Sequence, residues 1–442
     1  MHPKEVIRAR RERFMDAIGT GVAVFPAAPA RVRSNDTEYR YRPESDLFYL
    51  TGFAEPEAVA VIAPEHPEHK FVLFVRPRDP EREVWDGKRA GVEGAVTEYG
   101  ADMAYPISEL EEKLPNYLDG GQQLYYRLGR DEEFDLRVIR MLNSYRTTRR
   151  AKAPGPSSIL DPGEIVHEMR LIKSEADLAL MRRAIEISAG AHRAAMAAAR
   201  PGMFEYELEA LIEYTFRRNG ASGPSYSSIV GSGPNATTLH YVENSRRIEE
   251  GELVLVDAGA EFGYYAADIT RTWPASGRFS PEQRAIYEIV LEAQNGAIEM
   301  STPGVTMQDV HDFCVRTIAT GLVRLGLLDG PVEKAIEDGT YRKFYMHKTG
   351  HYLGMDVHDV GKYREGEEWR ALAPGMVMTI EPGIYIAEDC PDVDERWRGI
   401  GVRIEDDVLI TETGHDVLSA GAPKAIDEIE HIVGTEAIVR SP

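Results

Sequence analysis

The sequence predicts two domains: an α/β domain over residues 1–165 and an α+β domain, built as an internal repeat, over residues 166–442. Three observations predict this. Short apolar runs alternate with Pro, Gly and charged stretches up to about residue 150. The segment AKAPGPSSILDPGE (151–164) is dense in Pro, Gly and Ser and reads as a linker. Beyond it, one arrangement of helix caps, Pro-Gly stops and acid-tipped apolar strands occurs twice.

In the first domain, GVAVF (21–25), AVAVIA (58–63) and FVLFV (71–75) read as strands, and a charged helix is predicted over Asp131–Tyr145. In the second, Ser174 opens an S-x-x-D capping box with Asp177. Leu178, Met181, Ile185, Ala189, His192 and Met196 then recur at helical spacing until Pro201-Gly202 stops the helix. The pattern returns at Ser280-Pro281-Glu282-Gln283, where an N-cap, an N1 proline and a capping-box glutamine start a helix that halts at Pro303-Gly304. After each Pro-Gly pair a second helix is predicted, from near Glu205 and near Thr306. The strands echo too: GELVLVDAG (251–259) and GMVMTIEPG (375–383) each run Gly, five residues, an acid, one residue, Gly. Each is followed by a further acid in a strand-like segment, Asp268 in AADITRTW and Glu405 in GVRIEDDVLI.

Composition narrows the function. With 51 Lys+Arg against 73 Asp+Glu the formal charge is −22, which repels a polyanion at long range and argues against a nucleic-acid partner. The two cysteines, Cys314 and Cys390, stand far apart and outside any CxxC spacing, which excludes a disulfide scaffold and a cysteine zinc site. The N-terminus has no apolar signal region, and no apolar run approaches the ~18 residues of a membrane helix. A cytoplasmic protein with no membrane partner is expected.

The chemistry lies in the acids. Alternation in a strand puts Leu253, Leu255 and Asp257 on one face, and Gly401, Arg403 and Glu405 on one face of the later segment. A carboxylate at the end of an apolar strand is costly to bury unless paired or bound to a cation; for Glu405 an ion pair with Arg403 is one such option. Four acids (Asp257, Asp268, Glu381 and Glu405) in two repeated contexts imply four converging negative charges, a repulsion that two divalent cations would offset. The stretch YMHKTGHYLGMDVHDVG (345–361) brings three of the twelve histidines close to Glu381. Its Gly350 and Gly354 predict a looped or extended segment rather than a helix.

At these residues the chain resembles a known family. Asp257, Asp268, His351, Glu381 and Glu405 match the five dinuclear-metal ligands of the pita-bread metallopeptidases. The strings TLHY around His240, VHDVG around His358, EPGIYI, RGIGVRIEDD and SNDTEYRYRPESDLFYLTGF (34–53) are most similar to the bacterial aminopeptidases P. The resemblance covers essentially the whole chain. It implies a mixed-sheet, creatinase-N-like first domain and a pita-bread second domain with a pseudo-twofold axis.

It also implies a site. Two divalent ions, Mn²⁺ by resemblance, would be bridged by Asp268 and Glu405, with Asp257 on one and His351 and Glu381 on the other. A hydroxide between the ions would attack the bond before a proline at the second position of a peptide. Glu381 would move the proton, and His240 and His358 would stabilise the tetrahedral intermediate. His347 and Arg403 would lie on the proline side, with Tyr385 and Asp36 supporting them. Trp85, in REVWDGKR, would reach a neighbouring subunit of a homo-oligomer, a dimer or a homotetramer. The alternatives are a Xaa-Pro dipeptidase (prolidase) with the same metals, a non-catalytic binding module that has lost its ligands, and a metal-free amidinohydrolase such as creatinase.

Overall fold

The apolar runs of the first domain form the middle of one sheet. In a computed structural model, which describes residues 2–148 and 155–436, Val22–Pro26, Val59–Ile62 and Phe71–Val75 pair antiparallel. Met103–Pro106 joins one side, and Gln123–Tyr125 and Ser158–Leu160 join the other, all in parallel, which makes a six-stranded mixed sheet. The central strands are buried on both faces, as their unbroken apolar sequence requires. The charged helix spans Glu132–Thr148, and the Asp131 carboxylate accepts from the Glu133 and Phe134 backbone amides at its start.

Residues 151–154 of the expected linker lie outside the described residues, and its Ser158–Leu160 is a strand instead. An edge strand needs pairing on one side only, and a single apolar side chain, Ile159, packs it to the core. The chain divides into two compact units between Met169 and Arg170.

In the second unit the repeat is visible as structure. Helices Glu175–Ala198, Pro281–Met300 and Met307–Arg324 all begin with a complete capping box, at Ser174–Asp177, Ser280–Gln283 and Thr306–Asp309. Helix Glu205–Arg218 follows the first Pro-Gly stop. In the first half, strand Leu253–Asp257 pairs antiparallel with Thr270–Pro274, matching Asp257 to Thr270. In the second, Val377–Ile380 pairs antiparallel with Asp406–Ile410, matching Ile380 to Asp406. Each half therefore delivers one acid where a strand ends (Asp257, Glu381) and another just before its partner begins (Asp268, Glu405).

Faces follow the period of two. Val254 and Val256 join the main core, while Leu255 packs with Ile229 and Tyr385, so Asp257 emerges on that second side; Leu253, expected on the face of Leu255, packs in the main core instead, at the start of the strand. Each such fully buried aliphatic side chain contributes about 1.5–3 kcal/mol. One expectation is corrected here: GVRIEDDVLI is not a single strand. Ile400–Arg403 pairs with Gly383–Ile386, whereas Asp406–Ile410 belongs to another sheet. The chain changes sheets at Ile404–Glu405, so alternation along one strand does not set Arg403 beside Glu405.

Candidate metal centre

Two glycines let the acid-bearing segments approach. A Cβ on Gly259 would lie 1.7 Å from the Ala267 carbonyl oxygen, and one on Gly350 would lie 1.9 Å from that of Thr379. The bare backbone at Gly259 brings the segment after Asp257 against Asp268. At Gly350 it brings the histidine loop against the Glu381 strand, where the Thr379 amide donates to the His351 carbonyl at 2.9 Å and the His351 amide to the Thr379 hydroxyl at 3.1 Å.

Asp257, Asp268, His351, Glu381 and Glu405 all line one cavity of about 790 Å³, together with His240, His347, His358 and Arg403. Ligand-capable atoms of Asp268, His351 and Glu405 lie within 4.8 Å of one another. His351 Nε2 stands 3.3 Å from Asp268 and 3.7 Å from Glu381. Its Nδ1 donates to the Tyr352 carbonyl at 3.0 Å, so Nε2 is the nitrogen that faces the carboxylates and would ligate a cation on losing its proton.

The electrostatics show how unusual this gathering is. Burial pushes Glu381 up to about 7 against the opposing charges of His351 and Arg403. Burial likewise raises Asp268 and, with the charges of Asp268 and Glu381, raises Glu405. Burial works against the charge on His351, but hydrogen bonding to Asp268 and the charges of Asp268 and Glu381 raise it to about 9. These acids and one imidazole hold protons against solvent because the cavity wall offers too little positive charge. Such a donor set fits divalent cations.

Arg403 is the cation on the wall nearest Asp257. It donates to Asp257 at 2.8 Å, to the Tyr385 hydroxyl at 3.0 Å and to Thr270 at 3.1 Å. The ion-pair partner it takes at hydrogen-bond distance is thus Asp257. Glu405 instead accepts from the Thr270 hydroxyl at 2.6 Å. Thr270 thereby places the two side chains together, which the strand does not. The Tyr385 hydroxyl also reaches His347 Nε2 at 2.8 Å, so Arg403, Tyr385 and His347 form one chain. Burial, with the charge of Arg403, lowers His347 to about 4 and keeps it neutral.

His358 is exposed at the cavity and packs edge-on against the His351 ring, 4.4 Å between centroids. Burial and the charge on His351 lower its pKa. His240 is also an exposed part of the wall. Asp36 and Trp85 belong to the N-terminal unit. Asp36 sits in the turn between Val32–Ser34 and Thr37–Glu38, and Trp85 on helix Pro80–Asp86; both are exposed.

Sequence reasoning missed Tyr226. It is half-buried, and its hydroxyl donates to Asp257 at 2.6 Å and also contacts Asp268. A phenol has one proton for these two carboxylates, so a cation between them would satisfy what the hydroxyl alone does not. Nothing in PSYSSIV marks that tyrosine, because its partners lie 31 and 42 residues away. Thr270 and Asp407 were missed as well. Asp407 is fully buried, accepts from the Asp268 backbone amide at 3.2 Å and leaves its other oxygen without a partner among the described residues.

Comparison with known proteins agrees with this geometry. Residues 179–412 match the model for metallopeptidase family M24, and residues 7–125 match that for the aminopeptidase P N-terminal domain. A protein of Escherichia coli (strain K12) named Xaa-Pro aminopeptidase is 45% identical over 432 residues, covering 97% of this chain and 98% of the relative. The solved structure of Pseudomonas aeruginosa aminopeptidase PepP matches with a TM-score of 0.96 and 51% identity, over 98% of each chain. Zn-substituted E. coli aminopeptidase P in complex with product matches with a TM-score of 0.94 and 44% identity, over 98% of each chain. With the carboxylate–imidazole cavity in its second unit and these matches along nearly its full length, this chain belongs to metallopeptidase family M24, in its pita-bread, aminopeptidase P branch.

Proposed function

We infer that the chain is a metal-dependent exopeptidase that removes the first residue of peptides with proline in second position. The observation that carries this reading is the convergence of Asp257, Asp268, His351, Glu381 and Glu405 on one cavity. These five would hold two divalent cations. Oxygen-rich ligation with one imidazole suits hard to borderline ions, and manganese is the choice the family resemblance supports. When bound, the ions supply Lewis acidity that activates water and polarises the scissile carbonyl.

The rest is the work of side chains. Glu381, a carboxylate on the cavity wall 3.7 Å from His351, takes a proton from the attacking water and gives it up again. The nitrogen of a Xaa-Pro bond carries no hydrogen and must be protonated to leave as an amine, and Glu381 passes that proton on. His240 and His358, on the exposed wall, stabilise the developing oxyanion. The Arg403–Tyr385–His347 chain forms the proline side, where its hydrogen bonds hold all three groups in one orientation.

Whole-length identity to proteins named Xaa-Pro aminopeptidases supports this reading over the dipeptidase. The presence of every ligand type in one cavity disfavours a binding module or a metal-free amidinohydrolase. A homo-oligomer, dimer or tetramer, is supported by Trp85, an indole left 85% exposed. A reducing, cytoplasmic setting is consistent with two buried, unpaired cysteines. Among the described residues, no helix is long and apolar enough to cross a membrane.

The test is hydrolysis of a panel of Xaa-Pro dipeptides, Xaa-Pro-Xaa tripeptides and matched Xaa-Ala peptides, before and after chelation and Mn²⁺ readdition. Cleavage of the tripeptides between the first residue and proline, lost on chelation and restored by Mn²⁺, is expected. Activity confined to dipeptides, or indifferent to chelation, overturns the reading.

A further inference from the structure

Among the described residues, two lysine or arginine side chains line the cavity, and they differ in commitment. Arg403 is tied to Asp257, Tyr385 and Thr270. Lys348 is exposed, and its ammonium has the Gln308 side-chain oxygen at 3.3 Å as its hydrogen-bond partner. The same ammonium stands 5.9 Å from the centre of the Trp369 ring, and the Arg364 guanidinium lies 4.2 Å from that ring. Trp369 ends a two-stranded hairpin, Arg364–Glu365 with Glu368–Trp369, turned at Gly366 with φ of 64°. Alternation sends Glu368 to the opposite face from Trp369, and Glu365 lies 3.4 Å from Arg370. The wall thus presents Lys348 beside the Trp369 indole, with Arg364 packed on that ring but not part of the cavity lining, in a chain whose total charge is −22.

Charge decides which end of a peptide meets this wall. The α-amine of a substrate is a cation, drawn toward the buried carboxylates and repelled by Lys348. The part of the peptide that passes Lys348 is therefore the chain that continues beyond proline. Lys348 also directly follows His347, whose ring belongs to the Arg403–Tyr385 chain on the proline side.

We propose that Lys348, seated beside Trp369, is a specificity-determining residue that favours peptides carrying a carboxylate on the first residue after proline. The proposal rests on the peptidase reading above. Two sources share this chemistry: an acidic side chain at the third position, and the free C-terminus of a tripeptide.

The experiment measures kcat/KM for Ala-Pro-Glu-amide, Ala-Pro-Gln-amide, Ala-Pro-Lys-amide and Ala-Pro-Gln with a free carboxylate, using the wild type and Lys348→Glu. The wild type is expected to prefer the Glu amide over the Lys amide by about three- to tenfold, the scale of a partly solvated ion pair. Lys348→Glu should reverse that order, and added salt should shrink both preferences. A preference for the free acid over its amide assigns the effect to the C-terminus. A preference for Glu among the amides assigns it to the side chain. Either supports the proposal if Lys348→Glu removes it. Equal rates for all four peptides, or a preference that survives Lys348→Glu, overturn it. If the neutral Gln amide is itself not cleaved by the wild type, the peptidase reading fails rather than this one.

Discussion

Glu405 and Asp406 are consecutive, both buried, and held in opposite ways. Burial alone would push Asp406 up, but Arg271 at 2.6 Å and Lys424 at 2.8 Å hold it well below the usual carboxylate range. Gln294 and Ser419 complete its hydrogen bonds. Glu405, one residue earlier, is pushed up by burial and by the charges of Asp268 and Glu381. The chain thus sets two cations on Asp406, while the neighbouring cluster of four acids has Arg403 alone, paired with Asp257. A carboxylate neutralised from within is structural; a group of carboxylates short of positive charge is built to receive it from outside.

The sharpest way to separate the two clusters is to remove one charge from each. Glu381→Gln keeps the shape but loses the proton carrier and, with it, one carboxylate that would hold metal. Turnover of a Xaa-Pro tripeptide should fall by at least about 10²–10⁴-fold, while the thermal midpoint stays near wild type. Activity within tenfold of wild type would refute the proton-transfer role. Arg271→Met strikes the other cluster. It leaves Asp406 buried with Lys424 alone and should destabilise by about 3–5 kcal/mol in denaturant unfolding. Adding Asp406→Leu should recover part of that loss, because the one charge then left, on Lys424, is partly exposed and keeps the Gln294 oxygen at 2.7 Å; a double variant no more stable than the single one would contradict this account.

His192 senses both clusters. It is fully buried, hydrogen-bonded to the Ala258 carbonyl at 2.9 Å, and lowered to about 4 chiefly by burial, with Arg271 lowering and Asp257 raising its value. Its folded value lies below the unfolded one of about 6.5. Its contribution is therefore complete above pH 6.5 and is lost as pH falls toward 4, amounting to at most about 3 kcal/mol. Unfolding free energies measured at pH 7 and 4.5 should show this loss, and His192→Gln should flatten it. The smallest effect belongs to Tyr226→Phe, which removes the hydroxyl shared by Asp257 and Asp268. Metal affinity should weaken by about 10–100-fold with the fold retained; a metal titration indistinguishable from wild type would show the hydroxyl to be incidental.

What could be read without a structure had local causes. The boxes at Ser174, Ser280 and Thr306 join residues three apart, so their helices were legible from neighbouring letters. The acids Asp257 and Glu381 stood out because each closes an apolar strand between spaced glycines. The repeat and the family resemblance then named all five candidate ligands, and the structure brings those five to one cavity.

Other features depended on distance in the chain. The sheet change at Ile404–Glu405 reflects pairing with two different strands, and an apolar alternation reads the same whether or not it is interrupted. The contact of Thr270 with Glu405 spans 135 residues, and that of Arg271 with Asp406 another 135. The local repeat together with the family resemblance therefore pointed to the groups that could bind metal. Tertiary packing alone decided which acids received a cation from the chain and which were left in need of one, because a buried charge is governed by what lies within a few ångströms and not by what lies next in sequence.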